Sequence, residues 1–439
     1  MRNFRNIFGD AEFASLLMMS IFLLGLVIPV LAQQQDDRLP RNGFLENLLR
    51  EKASPELKWI LDHPDSFRYQ IIYTRIDRDK HNQPQFHNHY FRVNSHEYFN
   101  PASTVKMPLA FLALEKIDSL ARFGVDPFTT MLTDSAFSGQ TPALTDSTAA
   151  SGLPSLAQYI KKIFLVSDND AYNRLYEFLG QQSINERLWQ MGYKDIRITR
   201  RFVPMSEVEN RHTNPVRFVK AGRVLYTQPA AFSHLSFDFE QPVLIGNAYY
   251  DLNDSLIHTP MNFTRHNNIP LEHLQRLLQS VLFPESVPSA QRFRLSPENY
   301  RMLYRYMSQY PSEETFPRYD TLEYFDSYTK FFLFKAGRTP IPRYIRIFNK
   351  PGWSYGFLTD VAYIVDFKNK VEFMLSGVVY TNRDGILNDN KYEYEELGYP
   401  FFKEVGNIIY HYELGRKRKY PPDLKNFEMS YTPSINNGY

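Results

Sequence analysis

A serine hydroxyl attacks a carbonyl usefully only when a neighbour takes its proton. Ser103 and Lys106 have the spacing for that, three residues apart in FNPASTVKMPLAFLALEKI, where Pro101 and Ser103 open an apolar helical run. Side chains three apart on a helix share a face, about one turn up. An amine surrounded by apolar side chains is desolvated, and desolvation lowers a lysine pKa until the amine can act as a base. The helix start adds free backbone N–H groups and the positive end of a dipole, both suited to a developing oxyanion. Taken alone the string is weak: about one or two Ser-x-x-Lys matches arise by chance at average composition in a chain this long. A serine at a helix start with a solvated lysine also accounts for it.

Two later strings bear on the same chemistry. Ser167-Asp168-Asn169 falls between LAQYIKKIFLV and AYNRLYEFLG, two helical patterns. All three residues are ordinary helix N-caps. In a site, Ser167 would carry a proton between Lys106 and a leaving group, and Asn169 would hold a substrate amide by both ends of its side chain. Lys350-Pro351-Gly352 sits in RIFNKPGWSYGFLTDVAYIVDF. Asn-Lys-Pro-Gly is turn chemistry. In a site, Lys350 would draw a substrate carboxylate, and Gly352 would let a ligand approach the following backbone closely.

The elements that must position these residues follow from pattern and punctuation. Helical patterns near 44–52 and 55–62 precede strand-like runs at 67–77 and 86–93, rich in aromatic and β-branched residues. From 101 to 340 helical patterns dominate, among them 103–118, 155–166, 170–179, 271–282 and 296–308. Strands return at 343–348, 357–367 and 371–380, with Lys368-Asn369-Lys370 as a hairpin between the last two. A final helix covers 393–414. Strands at both ends of a helical middle predict an α+β fold: one antiparallel sheet from N- and C-terminal strands, flanked by helices, with an all-helical domain inserted. The division expected is 33–64 as linker and helices, 65–100 with 341–415 as the sheet domain, 101–340 as the helical domain with an enlarged insertion at about 225–340, and 416–439 as a tail.

Composition narrows the classes. The chain has 439 residues, 43% hydrophobic and 22% charged, with 30 Tyr and 35 Phe, as a globular protein with a sizeable core requires. A net charge of +2 and the lack of a basic stripe argue against nucleic acid as a partner. The basic run Arg416–Lys419 reads as a solvated helix end. The absence of cysteine excludes disulfides, thiol catalysis and Cys-ligated metal. His87 and His89 share a strand face, but no third ligand is evident, and the sequence calls for no metal and no cofactor. Arg2, Arg5, an apolar run at 16–31 and Ala32 fit a secretory signal over 1–32, cut after Ala32. The expectation is a periplasmic or secreted bacterial protein with no stable membrane span after cleavage.

The order of the three strings, each in its context, resembles the class A β-lactamases and related penicillin-binding enzymes, whose motifs are Ser-x-x-Lys, Ser-Asp-Asn and Lys-Thr-Gly. FNPASTVKMPLAFLAL is similar to that family's nucleophile helix, SDNDAYNRLYEFLG to its second-motif helix, and KPGWSYGFLTDVAYIVD to its third-motif strand. The similar parts cover about 65–220 and 340–415. The resemblance implies a β-lactamase-like fold with the site in the cleft between a sheet domain and a helical domain. It implies an acyl-enzyme on Ser103, activation by Lys106 with Ser167 and Asn169 assisting, and an oxyanion hole from the N–H groups of Ser103 and Trp353. Lys350 and Gly352 would bind a small-molecule or peptide substrate carrying a carboxylate.

Three departures matter. Pro351 replaces the hydroxyl residue of the third motif, and Ser354 is the candidate substitute. Pro351 also lacks a ladder N–H and needs a strand edge or strand start. The loop RRFVPMSEVENRHTNPV carries Glu207 and Glu209, but neither has Asn four residues on, so no deacylation base is assigned. The stretch between the second and third motifs is several dozen residues longer than usual, and helices over the cleft or a partner surface are expected from it. Three functions remain open: hydrolysis of a β-lactam or related amide or ester, a D-alanyl-D-alanine carboxypeptidase-like reaction on cell-wall peptide, and non-catalytic binding on the same scaffold.

Overall fold

Capping residues set most of the observed boundaries. The structure, a computed structural model, describes residues 43–239 and 241–431, all within one compact unit, Arg38–Tyr439. The apolar run and the cut site expected before residue 33 lie outside the described residues. Helices α1 (Phe44–Lys52) and α2 (Pro55–Asp62) come first, the second opened by Pro55 and by Ser54 Oγ accepting from Leu57 N. Strands β1 (Gln70–Arg78) and β2 (Pro84–Phe91) follow. The middle of the chain holds α3 (Lys106–Leu120), α4 (Leu156–Val166), α5 (Asn169–Leu179), α6 (Gln181–Gln190), α7 (Leu271–Leu282) and α8 (Pro297–Ser308). Strands β3 (Ile345–Ser354), β4 (Phe357–Asp366) and β5 (Val371–Tyr380) then lead to α9 (Tyr399–Gly415).

The five long strands form one sheet in the order β3-β4-β5-β1-β2, antiparallel throughout. Side chains alternate across it with the period of two that a pleated strand imposes. Ile72, Phe348, Val361, Tyr363 and Met374 join the core of the helical body on one face. Ile71, Ile347, Ala362, Ile364 and Phe373 pack on the other face with Leu45 and Leu49 of α1 and Phe402 and Val405 of α9. Both faces are covered, which is why β4 and β5 are buried at every position, polar residues such as Asp360 and Glu372 included.

Three features differ from the sequence reading. The strand expected to stop at 348 continues through Asn349-Lys350-Pro351-Gly352 to Ser354. Proline is tolerated there because β3 is the edge of the sheet, where one side of the strand makes no ladder bonds. The helical middle also carries strands. Thr130–Thr133, Val216–Lys220 and Arg223–Gln228 form an antiparallel ladder, and residues 244–262 contribute pieces of two or three residues. The ladder's strands, of four, five and six residues, are too short to stand out from the helical patterns around them. The basic run after α9 is not simply solvated: Arg416 and Arg418 both pair with the buried carboxylate of Glu413, and Arg416 also with Asp77.

The chain beyond α9 returns to the core. Phe427 is 4% exposed and its ring meets Phe283, Tyr304, Phe348 and Tyr363 at 4.8–5.6 Å. Phe427→Ala is expected to lower the unfolding free energy by about 3–5 kcal/mol, the usual cost of emptying such a site. Denaturant titration checks this, and a loss under about 1 kcal/mol would show that the segment is not part of the core.

Candidate active site

Ser103 sits in a single 3₁₀ turn, Ala102–Val105, that runs directly into α3. The turn is pinned before it starts: Ala102 N donates to Asn100 Oδ1 at 2.8 Å, and Thr104 Oγ1 donates to the Pro101 carbonyl at 2.6 Å. Ala102 has φ 44°, a left-handed conformation that costs a non-glycine residue free energy. Ser103 is half-buried, whereas Lys106, one turn on, is fully buried.

Ser167 is the junction of two helices. It ends α4 in the left-handed region, at φ 58° and ψ 37°, while Asp168 caps α5 by accepting from Ala171 N at 2.7 Å. The capping use of the Ser-Asp-Asn string and its site use therefore coexist. Lys106 Nζ donates to the Ser167 carbonyl, to Asn169 Oδ1 at 2.7 Å and to Ser167 Oγ at 3.3 Å. Lys350 Nζ, also fully buried, reaches the same hydroxyl from β3 at 2.9 Å and donates to the Pro351 carbonyl at 2.8 Å. One hydroxyl thus stands between two buried amines. Among the described residues no hydrogen bond joins Lys106 to Ser103; the amine is turned toward Ser167.

Burial pushes the Lys106 amine down to about 7, against a weaker upward pull from Asp168. Lys350 is held well below the usual lysine range, first by burial and then by the positive charge of Lys106. The Lys106 amine also lies 5.1 Å from the Phe202 ring centroid. A lysine poised near neutrality beside a serine can take up the serine proton at ordinary pH.

Gly352 explains how β3 comes so close to Ser103. A Cβ at this position would stand 2.7 Å from Ser103 N and 2.9 Å from both Pro101 O and Thr104 N. Close approach was expected there from a ligand; the neighbour is instead the turn that carries Ser103, and the Trp353 backbone follows at once. The Trp353 ring faces away from the turn, packing on Tyr328 and Phe331, 5.8 and 5.7 Å between centroids. That accounts for it as core.

A cavity of about 680 Å³ opens beside these groups. Asn169 and Ser354 line it, as do Ala102 next to Ser103 and a wall from Arg200 to Ser206. Sequence reasoning missed Phe202, Tyr355 and His266, which shape this cavity from three separate segments. His266 is held down to about 4 by burial and by Arg200, whose Nη1 lies 3.1 Å from its ring, so the ring is neutral at pH 7. Glu207 is bound by Arg265 at 2.5 and 2.7 Å. Glu209 lines the cavity, but its carboxylate is taken up by the capping box with Ser206 N at 2.7 Å and Ser206 Oγ at 2.8 Å. Away from the cleft, His87 pairs with Asp77 at 3.4 Å and His89 stacks on Tyr73, and no group of three His, Cys, Asp or Glu among the described residues could hold a metal ion.

Parts of the chain are similar to known proteins. Residues 74–236 match the model of the beta-lactamase enzyme family, a span that takes in Ser103, Lys106, Ser167 and Asn169 and ends before Lys350. That part of the chain is similar to the beta-lactamase enzyme family. No curated protein matches the chain. Among solved structures, a beta-lactamase from Sphaerobacter thermophilus is 14% identical, with TM-score 0.44, covering 86% of this chain and 98% of that one. A beta-lactamase from Burkholderia ambifaria is 15% identical, with TM-score 0.45, covering 81% and 98%. One from Xanthomonas campestris pv. campestris is 15% identical, with TM-score 0.43, covering 83% and 94%. The fold itself rests on the sheet order and helices described above.

The contacts of Gly352 are all backbone, so they cannot swing aside. Gly352→Ala must separate β3 from the Ser103 turn, and is expected to slow any acylation of Ser103 at least about tenfold while costing about 1–3 kcal/mol of stability. Labelling kinetics and thermal melting check both; wild-type kinetics in the alanine variant would show that this contact does not set the site.

Proposed function

We propose that this chain is a serine hydrolase that takes an acyl group onto Ser103 from a β-lactam or a related amide or ester bearing a carboxylate. The observation that carries the reading is the single Ser167 hydroxyl between the buried amines of Lys106 and Lys350, beside a half-open Ser103. Ser103 Oγ adds to the carbonyl carbon and its proton passes to Lys106. Charge on the carbonyl oxygen is met by the Ser103 and Trp353 N–H groups. The proton then moves through Ser167 to the leaving nitrogen or oxygen, the old bond to the acyl carbon breaks, and an ester on Ser103 remains. Asn169 holds the acyl amide, and the substrate carboxylate faces Lys350, with Ser354 supplying the hydroxyl that Pro351 lacks. An anion bound there would favour the charged form of Lys350, offsetting what burial removes.

Hydrolysis of the ester needs a base for water. The cavity wall offers Glu209, already engaged by Ser206, and among the described residues no other carboxylate lines the cavity. This favours a long-lived acyl-enzyme, the behaviour of a penicillin-binding peptidase of the D-alanyl-D-alanine carboxypeptidase kind more than that of a fast β-lactamase. A non-catalytic binder is disfavoured, because binding alone gives no reason to depress a lysine beside a serine. Export to the periplasm or outside the cell goes with this reading.

The test is labelling by a fluorescent penicillin, followed by intact mass. The expected result is one adduct on Ser103 that persists over many minutes and is absent in Ser103→Ala. Because Lys106 must be uncharged to accept a proton and is held at about 7, the second-order labelling constant should climb as pH rises through about 7 and fall away below it. A folded wild-type protein that takes no label would overturn the reading; a label that clears within seconds would move it back to a β-lactamase.

A further inference from the structure

The long stretch between the second and third motifs ends behind the cleft. Thr329 Oγ1 donates to the Phe164 carbonyl at 3.2 Å, in the last turn of α4 just ahead of Ser167. The Thr329 carbonyl accepts from Asn349 Nδ2 at 2.7 Å, in β3 just ahead of Lys350. Lys330 is fully buried and donates to Asn349 Oδ1 at 2.7 Å and to the Met307 carbonyl of α8 at 2.6 Å. Asn349 Nδ2 also donates to Asp360 Oδ1 of β4 at 2.8 Å, and Phe331 N donates to Asp360 Oδ2 at 3.1 Å.

Strand alternation gives this network its place. Asn349 falls with Ile347 and Asp360 with Ala362, on the sheet face covered by α9, whereas Lys350 falls with Phe348 on the face of the helical body. Thr329 therefore grips, from behind, the two elements whose front sides meet as Lys350 and Ser167, and Lys330 ties the same asparagine of β3 to α8. A buried amine and a buried carboxylate are an expensive way to join elements, and apolar side chains of the same volume usually do as well or better for stability. What a fully bonded polar network adds is a fixed geometry.

We propose that Thr329 and Lys330 are positioning residues, Thr329 clamping the end of α4 to β3 and Lys330 bracing β3 against α8, that together hold the Ser167 hydroxyl within reach of Lys350. The catalytic meaning of the clamp rests on the acylation reading above; its mechanical part does not.

Full-length wild type, Thr329→Val, Thr329→Ser and Lys330→Met separate the possibilities. Three measurements are needed: melting, penicillin labelling at low and saturating concentration, and hydrogen exchange over 160–169 and 345–354. In folded Thr329→Val and Lys330→Met, the labelling rate at saturation should fall about tenfold, as loss of one well-placed hydrogen bond implies. The half-saturating concentration should move far less. Amides in those two segments should exchange faster while α3 is unchanged, and Thr329→Ser should restore wild-type behaviour. Wild-type saturated rates and unchanged exchange in both folded variants would overturn the clamp, as would slowing that only tracks the loss of folded protein. If the wild type takes no label, the acylation reading falls and the exchange arm alone decides the clamp.

Discussion

Two amines are buried around one hydroxyl, and much of the molecule follows from that contact. Moving an ammonium out of water costs several kcal/mol unless it is paired. Among the described residues neither Lys106 nor Lys350 has a carboxylate in its hydrogen-bond shell; both bond to carbonyl, amide or hydroxyl oxygens. Burial therefore acts on their protonation, and each is pushed toward the neutral form. A site in that condition can accept a proton from a nearby hydroxyl, and an anion bound beside it would draw the amines back toward the charged form.

Holding that contact requires local conformations that cost free energy elsewhere. Ala102, Ser167 and Tyr355 all have φ between 44 and 58°, and all three lie at the turn, the helix junction or the hairpin that frame the cleft. Such left-handed residues persist when their surroundings over-determine them. The sheet does this here: β3 is the edge strand, Gly352 admits the Ser103 turn, and the continuous burial of β4 and β5 leaves the edge nowhere to slip.

Much of this was legible in the sequence because it is local. Phe44–Lys52, Pro55–Asp62 and Leu271–Leu282 fall where apolar periodicity and caps place them, and the sheet from both ends of the chain follows from strands bracketing helices. Lys106, Ser167, Asn169 and Lys350, picked out by spacing and order, share one hydrogen-bonded group, with Ser103 one turn ahead of Lys106. Boundaries failed where a turn signal met a tertiary constraint. Asn-Lys-Pro-Gly reads as a turn but is edge strand, whereas the last helix, expected from 393, is entered through a π-helical turn at Tyr394–Gly398 and is α-helical from Tyr399. The cavity wall of Phe202, His266 and Tyr355, and the Lys330–Asn349–Asp360 network, were invisible because they join segments far apart in the chain, and no periodicity records such pairing.

The most direct measurement of the central claim is the titration of Lys106 itself. Protein carrying ¹³Cε-labelled lysine, with the resonance assigned through Lys106→Arg, can be followed by NMR from pH 5 to pH 11 without any substrate. The account predicts a midpoint at about 7 for Lys106. A midpoint above about 10, that of a solvated lysine, would mean that the amine is charged at neutral pH and that Ser103 has no base beside it.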